Sequence, residues 1–213
     1  MEPVVLVFIA VAAFLGLRWH RGSRVNYGVI TGAVEAMEKA FSPRDKTYIN
    51  IGGVVGYNFV YELDPPFRKL EGTIVTLPRQ AVLYLPISRW LLKREDMLLF
   101  TLYCGDLKTG RGHIVEAARF ENRTIPVEDR DSLSVTPAEY PERSFVVLWY
   151  NPLVRDRLRA MLDRFSGRAR RGIRYLGYYG SEGHMAFTVN PGDPELPALL
   201  EEIRRVAGDT SAP

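Results

Sequence analysis

The chain has a single cysteine and only three histidines. One thiol excludes an internal disulfide and a cysteine-based zinc site, and the place of Cys104 in an apolar strand makes it a core residue. HExxH, GxxxxGK(S/T) and GxSxG are all absent, which removes the common metalloprotease, P-loop and α/β-hydrolase signatures. Gly112-His113 and Gly183-His184 place two histidines after expected turns, but two histidines fall short of the three or four ligands a metal site usually wants. Ile51-Gly52-Gly53-Val54-Val55-Gly56 is glycine-rich, yet it precedes a strand instead of opening a helix. Turn flexibility explains it better than a dinucleotide loop does. Net charge is small, +3, and on its own implies no class of partner. No catalytic constellation and no cofactor motif remain, so an enzyme is not expected.

Charge is also missing from Val4 to Leu17, and there the absence is informative. With Trp19 the apolar stretch spans roughly 24 Å as a helix, short of a hydrocarbon core of about 30 Å. Residues 1–3, a snorkelling Arg18 and slight bilayer thinning close that gap. Ala10-Val11-Ala12 offers a small-x-small cleavage site, but a signal peptide carries its positive charge before the apolar run. Here Glu2 precedes the run and Arg18, His20, Arg21 and Arg24 follow it. Residues 1–19 are therefore expected to be a transmembrane anchor. By the positive-inside rule the protein is expected in the cell membrane, single-pass, with its N-terminus outside and the rest cytoplasmic.

A basic stem and an amphipathic helix are expected over 20–50. Tyr27, Ile30, Val34, Met37 and Phe41 fall on one stripe, with Ser23 or Asn26 as N-cap and Ser42-Pro43 as the stop. That stripe either packs on the following domain or meets a second membrane protein. An α+β domain is expected over 51–207, followed by a polar tail over 208–213. The whole chain's 46% hydrophobic and 11% aromatic content suffices for a core. Val54–Leu63 and Leu70–Leu77 read as a strand pair around Asp64-Pro65-Pro66. Two β-α-β-β units follow. The first has a strand Ala81–Leu85, a helix opening at Pro86, and strands Met97–Cys104 and His113–Phe120. The second has a strand Phe145–Tyr150, a helix opening at Pro152, and strands Ile173–Tyr179 and His184–Asn190. Each unit would close on a glycine-bearing hairpin, with Gly105 and Gly180. Leu153, Val154, Leu158, Met161, Leu162 and Phe165 give the second helix its apolar face. A last helix runs from Asp193 to Gly208. Residues 121–143 read as a long acidic loop, in which Glu128, Asp129 and Asp131 could touch a cation.

The distribution of charge says more than its sum. Arg155 to Arg174 holds eight arginines against two aspartates. Guanidinium groups match phosphate geometry, so Arg164, Arg168, Arg170, Arg171 and Arg174, projecting around Ser166-Gly167, are expected to contact a polyanion. Ribosomal RNA and anionic lipid head groups are the two candidates; a solvated helix face is the plain alternative.

The order of these features resembles a known family. A membrane anchor leads through a basic stem and amphipathic helix to an α+β cytoplasmic domain. Within it come Glu71-Gly72 before a hydrophobic strand, Arg-Trp-Leu-Leu-Lys-Arg, the strand MLLFTLYC, the strand FVVLWY and the segment FTVNPGDPELPALLEEI. This is similar to the calumin family, the coiled-coil-domain protein of the endoplasmic reticulum that partners Asterix beside the Sec translocon. The acidic lumenal segment and the C-terminal coiled coil of that family have no counterpart in this sequence, which suits a short prokaryotic relative, archaea included. The resemblance implies an accessory or chaperone role in membrane-protein insertion, with the Sec translocon and a small Asterix-like membrane protein as partners, while the Arg155–Arg174 face is expected to contact the ribosome or the translocon's cytoplasmic surface. A membrane-tethered domain that binds a small molecule or lipid is the alternative, with Trp90, Trp149, Tyr178 and Tyr179 as wall residues.

Overall fold

No proline falls between Val4 and Phe41, and arginine is a good helix former. Anchor, stem and stripe accordingly fold as one 39-residue helix, α1 (Pro3–Phe41), in the computed structural model. The structure describes residues 3–82, 84–91, 94–105, 107–127 and 130–211. Leu83 of the expected 81–85 strand, Leu92 and Lys93 of the expected helix, Glu128 and Asp129 lie outside them. The stem is thus no separate unit, and neither Ser23 nor Asn26 is an N-cap. The stop is where the sequence put it, with Ser42 in a left-handed conformation (φ 45°) before Pro43. Over an 18-residue window α1 is apolar enough to cross a membrane, with mean hydropathy 1.8 and none of that window buried.

Strands β1 (Asp45–Asn50), β2 (Gly56–Glu62), β3 (Phe67–Val75), β4 (Met97–Cys104), β5 (Arg111–Glu116), β6 (Ser134–Glu139), β7 (Ser144–Trp149), β8 (Ile173–Tyr179) and β9 (His184–Val189) form one sheet. Its order is β1-β2-β3-β4-β9-β8-β5-β7-β6, and every neighbouring pair is antiparallel. The chain is α+β, as expected; the second unit keeps its order as β7, the helix Pro152–Arg164 (with a short helix Gly167–Gly172), β8 and β9, whereas the first lacks its opening strand among the described residues. Residues 84–91 form a short helical stretch, α2 (Tyr84–Pro86), continuing as a π-type turn over Ile87–Leu91, where a strand and a Pro86-initiated helix were expected. A five-residue apolar run carries no periodicity that separates strand from helix. The expected strand to Phe120 stops at Glu116, and α3 (Ala117–Glu121) follows.

The largest departure is in pairing. β4 and β5 do not form a hairpin; the β8–β9 hairpin inserts between them, β9 on β4 and β8 on β5. The connection from β4 to β5 crosses the tip of that hairpin. Cys104 N–H donates to the Gly183 carbonyl (2.9 Å), and Gly180 N–H donates to the Gly110 carbonyl (2.8 Å). A Cβ at Gly180 would collide with the Lys108 carbonyl, and Gly183 turns with φ +70°. The glycines seen in the sequence serve this crossing.

Helices α4 (Pro152–Arg164), α5 (Gly167–Gly172) and α6 (Leu196–Ser211) cover one face together with the second half of α1. Asn151 caps α4, its side chain accepting from Leu153 N–H, with Pro152 at the first position as its missing N–H allows. Val154, Leu158, Met161 and Leu162 point inward, but Leu153 is 71% exposed, against expectation. α6 continues through Gly208, so Asp209 to Ser211 belong to the helix and not to a tail. The core between the layers holds Ile30, Met37 and Phe41 of α1 against Phe59, Leu70, Phe100 and Phe187 of the sheet and Leu200 and Ile203 of α6. Each such buried side chain contributes about 1.5–3 kcal/mol. On the opposite face, α3 and the segment after it bury Val115, Leu133, Leu148 and Tyr175. They shelter only the β5–β7 end of the sheet.

Candidate functional site

Strand alternation sends every second side chain away from the helices. On β2, β3, β4 and β9 no described element lies over that outer face. Asn58, Val60, Glu71, Thr73, Leu99 and Thr101 line a groove of about 450 Å³ there, with Ala186, Thr188 and Tyr175 along its other side. The lining mixes hydroxyl and amide groups with Val60, Leu99 and Ala186, and the groove lies open along the sheet.

At one end of this face a row of polar and aromatic side chains runs across the strands. Lys69 Nζ pairs with Glu71 at 2.5 Å, and the Tyr103 hydroxyl donates to the other Glu71 oxygen. Those two hydrogen bonds, Lys69 first, hold the Glu71 carboxyl below its ordinary value, while the bond to Glu71 pushes the Tyr103 phenol up to about 12. His184 stacks on Tyr179 with ring centres 4.6 Å apart and lies 5.5 Å from Tyr103. His113 lies edge-on to Tyr179 at 5.5 Å, and its Nδ1 is 2.9 Å from the Tyr175 hydroxyl. The two Gly-His histidines therefore meet one another's neighbours through Tyr179, although they are 71 positions apart. No third ligand joins them: among the described residues no group of three or more His, Cys, Asp or Glu could hold a metal ion. Asp131 sits in a 3-10 turn, Arg130–Ser132.

The five arginines expected to act together divide into two sets. Ser166 does not end in a loose turn. It N-caps α5, its hydroxyl accepting from Ala169 N–H at 3.2 Å, and its own hydroxyl donates to Glu202 at 2.6 Å. Arg170 turns inward, donating to the Phe165 carbonyl (2.7 Å), facing Glu142 and lying 4.5 Å over the Tyr140 ring. Arg174 enters a half-buried network in which Glu95 and Glu116 meet Arg119, Arg143 and Arg174. Burial first, and then the neighbouring Arg119, draws the Arg174 guanidinium below its ordinary range. Both groups hold the fold together. Arg164, Arg168 and Arg171 remain exposed, with Arg168 3.1 Å from Glu195.

The α1 stripe divides in the same way. Ile30, Met37 and Phe41 are core residues and Val34 packs partly against them, so the domain itself takes the stripe; Tyr27 alone is exposed, at 61%. The four expected wall residues share no pocket. Tyr178 is buried on the helix side and donates to the Lys108 carbonyl (2.5 Å). Trp149 bonds Thr136, Tyr179 stacks on His184, and Trp90 is exposed. β9 pairs with β4 and β8 with β5, so among the described residues the two expected units share one continuous sheet. No family model matches this chain, and no curated protein sequence matches it either.

Proposed function

We propose that the protein is a membrane-anchored, non-enzymatic docking platform whose open sheet face receives an extended segment of a membrane-protein partner close to the bilayer. One observation carries the reading. α1 passes without a break from its exposed apolar half into the core behind the sheet, so the outer face is held at a fixed position relative to the anchor. Mixed lining and an open shape suit the side chains of a passing chain. Small-molecule sites instead enclose most of their ligand in an apolar cleft, which makes the tethered small-molecule domain the weaker reading.

In the more specific form given by the calumin-like pattern, the partners are a Sec subunit and a small Asterix-like membrane protein, and the role is that of an accessory or chaperone in membrane-protein insertion. Arg18, Arg21 and Arg24 orient the anchor with its N-terminus outside and the sheet in the cytoplasm of a single-pass cell-membrane protein. Arg164, Arg168 and Arg171 would face the ribosome. Affinity purification from native membranes tests both levels. Wild type is expected to retain a membrane-protein partner that Leu99→Arg/Ala186→Arg loses. Equal recovery with both proteins overturns the docking face, and recovery of a partner that is no insertion component overturns the specific form. Ribosome co-sedimentation of Arg168→Ala/Arg171→Ala across a salt series tests the basic face. A slope reduced by about one per lost phosphate contact is expected, and an unchanged slope overturns that contact.

A further inference from the structure

A second attachment to the membrane is built beside the anchor. The short helical stretch 84–91 leaves Ile87 47% exposed, Trp90 77% and Leu91 76%. Three large apolar side chains on one short turn would be a liability in water, and tryptophan favours the membrane–water boundary. This turn does not project at random. It forms one wall of a crevice of about 400 Å³ whose other wall is α1 at Arg18, Arg21 and Gly22. Arg18 directly follows the apolar run that ends at Leu17, which puts the crevice within about one helical turn of the end of the hydrocarbon span.

The crevice is cationic. Arg18, Arg21, Arg89 and Arg94 line it, and among the described residues none of the four pairs with an acid. The acids present are already engaged. Asp96 binds Arg79 through both oxygens, at 2.8 and 2.6 Å, and Glu95 meets Arg119 and Arg174. Arg94 also borders an adjoining cavity of about 550 Å³. Ser88, on that cavity's wall, is fully buried with a hydroxyl that has no hydrogen-bond partner. Four guanidinium groups without acid partners beside a span end match the phosphate of a lipid head group.

We propose that the crevice between α1 and the Tyr84–Leu91 turn holds the head group of an anionic phospholipid of the surrounding bilayer, while Ile87, Trp90 and Leu91 insert at the interface. The turn then fixes the tilt and rotation of the sheet on its anchor. This rests on α1 as a membrane span but not on the docking role of the sheet face.

The test uses the full chain in vesicles of phosphatidylcholine, with and without phosphatidylglycerol, and tryptophan quenching by acyl-brominated lipid. Comparison with Trp90→Phe isolates the Trp90 signal, and Trp19 on α1 reports whether the span is inserted. Trp90 is expected to be quenched, more so with phosphatidylglycerol, and Arg89→Gln/Arg94→Gln is expected to abolish that increment. In parallel, phosphatidylglycerol retained on the protein in detergent should fall about 25-fold in the double variant, at about fivefold per arginine near the head groups. Quenching of Trp19 without Trp90 overturns the proposal while leaving the span intact. Quenching of neither overturns both. Equal lipid retention in the double variant overturns the head-group site.

Discussion

Gly22 lies directly against the backbone carbonyl of Arg79: a Cβ at position 22 would collide with it. This close approach lets the 77–80 segment lock onto α1 one turn below the core. Asn26 completes the lock. Its amide donates to the Leu77 carbonyl (2.7 Å) and to Gln80 (3.2 Å) and accepts from Arg79 (2.9 Å), while Asp96 holds both Arg79 and Leu77 N–H. Gly22→Ala is expected to cost about 1–3 kcal/mol, because the neighbouring atoms are backbone of Arg79 and Gln80 and cannot yield cheaply. Gly28 and Gly32 on the same helix have open space at the Cβ position. Alanine there is expected to stabilise by up to about 1 kcal/mol through helix propensity. Thermal unfolding of the three variants in mild detergent checks the contrast.

Asn26→Leu removes all three bonds of a fully buried side chain. Loss is expected at about 1–3 kcal/mol, the cost of leaving buried partners unsatisfied. Hydrogen exchange should show the 77–80 segment opening first.

The arginines of the 155–174 stretch are expected to behave unequally. Arg174→Ala removes one of three guanidinium groups from a half-buried network in which Glu95 keeps Arg119 and Glu116 keeps Arg119 and Arg143, and should cost about 1–3 kcal/mol. Arg168→Ala and Arg171→Ala should stay within about 0.5 kcal/mol. Denaturant midpoints of the single variants decide it. Equal effects would remove the division between structural and exposed arginines.

Cys104 is buried, and desolvation pushes its thiol up to about 12. Maleimide at pH 8 is expected to leave the native protein unlabelled and to modify it fully once unfolded. Rapid native labelling would mean that β4 separates from its neighbours.

Acid should weaken the fold in part through Glu71 and Glu38. Both carboxyls sit below their ordinary value of 4.5, Glu71 chiefly through Lys69 and Glu38 chiefly through Lys46. A depressed carboxylate contributes stability above its unfolded value, and that contribution is lost as pH falls through the folded one. Glu71→Gln and Glu38→Gln are expected to narrow the gap between unfolding temperatures measured at neutral pH and below pH 4.5. An unchanged gap would contradict this.

What the sequence made legible was local. The strand Ile173–Tyr179, buried on both faces, is readable as an aromatic-rich run, and Met97–Cys104 is readable to the residue because one face is buried and the alternation survives. α4 and α6 showed their stripes for the same reason. β1 went unread because all six of its residues are exposed, leaving no alternation to see. β6 hid in the acidic loop because Pro137 argues against a strand, yet β6 is a sheet edge, where proline is tolerated. The insertion of the β8–β9 hairpin between β4 and β5 depends on contacts far apart in the chain that no window reports. The outer face was invisible for the same reason, since its lining comes from Asn58 to Thr188 across five strands. Arg170 and Arg174 looked like surface charge because Glu142, Glu95 and Glu116 lie elsewhere in the sequence.

An outer sheet face that meets a membrane-protein partner must lie within crosslinking reach of it. A photo-crosslinking amino acid placed at Leu99, on that face, tests it in native membranes, with Leu153, exposed on the helix side, as the control. The account predicts a discrete adduct with a membrane protein from position 99 and none of that mass from position 153. The same adducts from both positions, or none from either, would contradict it.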